Sequence, residues 1–116
     1  MDADFHSQFT VNDLRNDDEA VAQALLQSCR RGSPRRVIAL CQLKEQLLFT
    51  LQSAQQPPQD LRFVHMLDPD LTALRAILQE RWKGGYEPVG MVADRSEDGT
   101  LHAFLLVQKC EKAGLP

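Results

Sequence analysis

The clearest periodicity in the chain lies in "DPDLTALRAILQERWKGG", residues 68–85, where Leu71, Leu74, Leu78 and Trp82 recur at i, i+3, i+7 and i+11. That spacing puts them on one face of an α-helix and predicts a buried stripe. Asp68 and Pro69 supply an N-cap and a first helical residue, and Gly84 or Gly85 a left-handed stop. Ahead of the helix, "LRFVHML" has the large apolar residues of a strand. After it, "YEPVGMVA" and "LHAFLLVQ" are two more strands, joined by "DRSEDGT", in which Asp98 and Gly99 supply a hairpin turn. The second half thus predicts a β-α-β-β order.

The first half echoes the second. At an offset of 52 residues Gly32 falls on Gly84, Asp18 on Asp70, Leu26 on Leu78, Gln27 on Gln79, Arg31 on Lys83 and Val37 on Val89. The same offset aligns Asn16 with Asp68, both good capping residues. "LLFTLQ" from Leu47 matches "AFLLVQ" from Ala103 once four extra residues are allowed, and the insertion falls in "RSEDGT", where a hairpin loop absorbs it.

This internal duplication decides an ambiguous segment. "SPRRVIALCQLKEQLLFTLQ" keeps helical spacing at Val37, Leu40, Cys41, Leu47, Leu48 and Leu51, yet the echo makes it two strands with a tight turn near Lys44 and Glu45. Arg35 and Arg36 would also be repelled by the partial positive charge of a helix starting at Ser33. The expectation is one domain over residues 1–116, made of units 5–54 and 60–109, with "QQPPQ" as the linker.

Two helices and about six short strands predict an α+β fold, a tandem β-α-β-β repeat whose mainly antiparallel sheet carries both helices on one face. Strand residues alternate sides, but Ile38 and Leu40 are as apolar as Val37, Ala39 and Cys41, and Phe104 and Leu106 as apolar as Leu105 and Val107. A sheet apolar on both faces needs cover on both. Either the halves curl so that their sheets face each other, or a second copy packs on. A homodimer is the expected solution, with Ile38, Leu40, Leu48, Phe104 and Leu106 at its interface.

Composition narrows the partners. At 116 residues, 43% hydrophobic and 25% charged, the chain is ordinary for a globular domain. Its net charge of -3 argues against coating nucleic acid or an anionic membrane through the overall field. No apolar run approaches the roughly 20 residues that span a bilayer, and the acidic N-terminus lacks signal-peptide order, so a cytoplasmic location is expected. Cys29, Cys41 and Cys110 are odd in number and form no CxxC pair, which predicts neither a disulfide framework nor a zinc site. Cys29 and Cys41 read as small buried apolar residues, and Cys110, near the tail, as exposed.

"ILQERWKGGYEPVGM" and the closing "HAFLLVQK" give the second half, residues 61–109, a further association. Their sequence of helix, glycine, aromatic and Glu (Tyr86, Glu87), then a last apolar strand ending in a basic residue, resembles a family of small bacterial domains of unknown function. In that family the aromatic is usually Trp directly after the glycine; here Tyr86 takes that place and Trp82 lies a turn earlier. The resemblance implies the same β-α-β-β order and brings no catalytic residues.

Candidate chemistry is sparse. Arg30, Arg31, Arg35 and Arg36 surround Gly32 and could hold a phosphate or carboxylate bidentately, although Arg30 and Arg31 also suit the last turn of a helix. His6, His65 and His102 have no metal-ligand spacing, but His65 and His102 are placed to be neighbours on one sheet surface, where proton transfer is conceivable. No nucleophile elbow or phosphate loop is present, and no metal or cofactor is expected. The leading expectation is a non-enzymatic interaction or oligomerisation module. The alternatives are a binder of small anions, nucleotides or a nucleic-acid end through the arginines, and a small dimeric enzyme with a pocket of His65, His102 and Tyr86.

Overall fold

The computed structural model describes residues 3–110. Its elements are β1 (Ala3–His6), α1 (Val11–Arg30), β2 (Arg35–Leu43), β3 (Gln46–Ser53), β4 (Asp60–Leu67), α2 (Leu71–Lys83), β5 (Tyr86–Arg95) and β6 (Leu101–Lys109). The fold is α+β, and the order β-α-β-β occurs twice. The segment 33–54 is a hairpin, with Lys44 at a φ of 55° in its turn.

The strands form two antiparallel sheets, ordered β1-β3-β2 and β4-β6-β5, where the sequence suggested one. Both β2 and β5 carry an irregularity at corresponding places, between Val37 and Ala39 and between Pro88 and Gly90. These two edges lie side by side, and a Cβ at Gly90 would sit 3.2 Å from the Cβ of Leu40. They do not pair, for three local reasons. Pro88 has no N–H to donate, the bulges break the repeat, and the Gln108 side chain occupies both polar groups of Val37, accepting from its N–H and donating to its C=O at 2.9 Å each.

The helices do not share one face, which corrects the second part of the expectation. α1 fills the space between the sheets. Its Val11, Leu14, Val21, Leu25, Leu26 and Cys29 join Val37, Leu47, Phe49 and Leu51 of the first sheet and Leu61, Val92, Phe104 and Leu106 of the second in one core. α2 packs on the opposite face of the second sheet, where Leu74, Ile77 and Leu78 meet Met66, Ala103, Leu105 and Val107. Each large core side chain contributes about 1.5–3 kcal/mol by leaving water, so the shared core binds the two halves into one body.

The helix starts follow capping chemistry. Thr10 and Asp13 form a capping box at the start of α1. The helix then breaks at Asp17, whose φ of -164° is extended, and restarts with the Asp17 side chain accepting from the N–H of Ala20 at 3.1 Å. The α2 cap is Asp70 rather than Asp68. Either residue could supply the roughly 1 kcal/mol of an N-cap, so a further contact decides between them. Asp68 takes a φ of 44° and pins β6, donating its N–H to the Leu101 C=O and accepting from the Leu101 N–H. At the far ends the left-handed residues are Gly32 and Gly85, with φ of 68° and 88°.

The helical stripe is only half buried. Leu74 and Leu78 pack on the sheet, but Leu71 is 83% and Trp82 63% exposed, and no residue of α2 is fully buried. The helix packs on the sheet through Leu74, Ile77 and Leu78 and leaves Leu71 and Trp82 largely in solvent, which a one-dimensional spacing does not reveal.

Candidate interaction surface

The first sheet has one covered face and one open face. Cross-strand register puts Val37, Leu40, Leu47, Phe49 and Leu51 on the side of α1. The other side carries Phe5 of β1, Ala39, Cys41 and Leu43 of β2, and Leu48 and Thr50 of β3, with Ile38 at the bulge. Among the described residues no helix lies over it. Leu43 is 78%, Phe5 60% and Ile38 42% exposed. A row of this kind is informative because scattered exposed apolar residues are normal and contiguous ones are not.

This placement sorts the expected interface residues. Ile38 and Leu48 lie on the open face. Leu40 packs against the core, and Phe104 and Leu106 have no exposed surface at all, because α1 covers that side of the second sheet. Phe5, Cys41 and Leu43 complete the open face and were not singled out by the sequence. Cys41 is exposed, contrary to its reading as a buried apolar residue; β2 runs through the outer layer, and its alternate residues face solvent. Cys29 is buried, which pushes its thiol up to about 11, and Cys110 is half-buried.

The four arginines do not converge on one ligand. Arg30 donates to the Gln59 C=O at 3.5 Å, and Arg31 caps the C-terminus of α1 with its backbone N–H. Arg35 and Arg36 are successive strand residues and so point to opposite faces. Arg35 pairs with Asp4 at 2.7 Å, and Arg36 lies 3.8 Å from Glu87, its Nε buried and without a hydrogen-bond partner among the described residues.

His65 and His102 do meet. His65 Nε2 and His102 Nδ1 are 2.9 Å apart, with rings inclined by 24° and centroids 5.1 Å apart. Those values describe two rings side by side sharing a proton, and His65 also stacks on Phe104 with centroids 4.4 Å apart. The bond needs one imidazole nitrogen unprotonated as acceptor, so the pair can hold a proton between them. Tyr86 is not part of this site. It stands opposite Lys109 on the α2 side of the sheet, whereas His65 and Phe104 face α1, and its hydroxyl donates to Asp60. Burial works to raise the Asp60 carboxyl, but the bonds from Tyr86 and Arg62 outweigh it and hold it below its ordinary range.

Among the described residues no cluster of three or more His, Cys, Asp or Glu could hold a metal ion, and no helix is long and apolar enough to cross a membrane. Comparison of the chain with protein-family models, with curated proteins and with solved structures gives no match.

Proposed function

We propose that the chain is a non-enzymatic self-association module, a homodimer joined through the open face of its first sheet. The observation that carries this reading is the contrast between the sheets. The second is covered by α1 on one side and α2 on the other, while among the described residues the first keeps an apolar side without cover. The centre of that side is free of charge. Phe5, Ile38, Ala39, Cys41, Leu43, Leu48 and Thr50 are all neutral, and the charge at its margin, Arg36 opposite Gln52, faces Glu87 at 3.8 Å, so a second copy related by a twofold axis can meet the apolar row with little like-charge repulsion. The two halves, with their shared strand order and matching bulges, fit an internal duplication in which, among the described residues, one unit has cover on both faces and the other on one. Three free cysteines, one of them exposed, suit a reducing compartment such as the cytoplasm.

Light scattering at micromolar concentration tests the dimer. The expected mass is twice the 13.1 kDa of the chain, and the Phe5→Lys/Leu43→Lys double variant is expected to run as a monomer with an unchanged far-ultraviolet spectrum. A wild-type monomer, or a double variant that stays dimeric, defeats the proposal.

A further inference from the structure

A second surface, away from the open face, has the features of a peptide groove. β4 is an edge strand; among the described residues its backbone pairs with β6 alone. A cleft of about 340 Å³ runs beside it, lined by Asp18, Glu19, Ala22 and Gln23 of α1, by Asp60, Leu61, Arg62 and Phe63 of β4, and by Arg81 of α2. The four β4 residues are consecutive. A cavity over one face of a sheet touches alternate residues only, so this one lies along the open edge, where unpaired backbone groups can take another strand.

The walls carry a charge pattern. Asp60 and Arg62 neutralise each other at 2.5 Å. Among the described residues Asp18, Glu19 and Arg81 form no ion pair, and burial holds the Asp18 carboxyl above its ordinary range. α1 lies on one face of the second sheet and α2 on the other, so Asp18 and Glu19 flank one side of any added strand and Arg81 the other. Because successive residues of an added strand alternate faces, complementarity asks for basic side chains toward α1 and an acidic one, a residue away, toward α2.

We propose that the free edge of β4 binds an extended peptide by strand addition, selecting a segment in which basic and acidic residues alternate. Main-chain hydrogen bonds supply the affinity, and the flanking charges set phase and preference. This surface is separate from the face assigned to dimerisation, so peptide binding here does not depend on that face being a dimer contact.

The test uses the full chain and the blocked hexapeptide Thr-Lys-Glu-Lys-Val-Thr, followed by amide chemical shifts. The expected result is saturable perturbation of Leu61, Phe63 and Glu19, intermolecular contacts between backbones along β4, and loss of binding when alternate peptide nitrogens are methylated. The Asp18→Asn/Glu19→Gln double variant is expected to weaken binding by about three- to tenfold, an effect that shrinks in high salt. Absence of binding at millimolar peptide, or binding indifferent to N-methylation, overturns the proposal. It is also overturned if the β4 amides shift with protein concentration alone, which would make a second copy the occupant. The same holds if deleting residues 111–116 alone produces the β4 shifts, which would give the groove to the chain's own tail.

Discussion

Gln108 shows how one residue can hold two sheets together. It is 1% exposed in a strand of apolar residues, and its amide answers both the N–H and the C=O of Val37. Replacing it with Leu preserves volume but leaves two buried backbone groups unpaired, each costing about 1–3 kcal/mol. Urea denaturation of Gln108→Leu is expected to show a loss of about 2–4 kcal/mol, against no significant change for Gln42→Leu, whose amide bonds in solvent to the Lys44 C=O. Equal values for the two variants would contradict that role. In sequence, "LHAFLLVQ" predicts a strand and Gln108 closes it as the counterpart of Gln52, with no role assigned. Its partner lies 71 residues away, and no local pattern encodes a contact at that distance.

Elements were legible where they depend on near neighbours. The helix stop at Gly32 and the loop at Gly99, where φ is 88°, follow from residues within one turn of the chain, whereas the hairpin of 33–54, helical in its local spacing, was legible only through the echo of the second half. In the Gly99 loop Asp98 accepts from the Ser96 hydroxyl and the Thr100 N–H, which hold its carboxyl down at about 2. Burial along α2 was less legible. Helical spacing names a face but not how far that face reaches over a sheet, and Leu71 and Trp82 extend past it. Trp82→Ala is therefore expected to change unfolding free energy by less than about 1 kcal/mol, and Ile77→Ala by about 2 kcal/mol. As Trp82 is the only tryptophan, the native emission is expected near that of indole in water; a strongly blue-shifted spectrum would mean that the end of α2 is covered.

For the whole molecule, the core shared by α1 and both sheets predicts one cooperative unit. Native-state hydrogen exchange is expected to give the same opening free energy for Phe49 in β3 and Leu106 in β6, although they belong to different sheets. Two well-separated values would mean that the sheets unfold independently. The β-α-β-β order of the second half was readable in advance because it rests on periodicity, caps and turns between residues close in sequence, and the 52-residue echo carried that order, and with it the α+β class, to the first half. The position of α1 was not readable in this way. An amphipathic helix has several apolar sheet faces to choose from, and only the tight approach of β5 to β2, at Gly90 against Leu40, brings both sheets within its reach. That choice buries Phe104 and Leu106 and leaves Phe5, Ile38 and Leu43 in water, because one helix can fill the gap between two faces but cannot also cover a third.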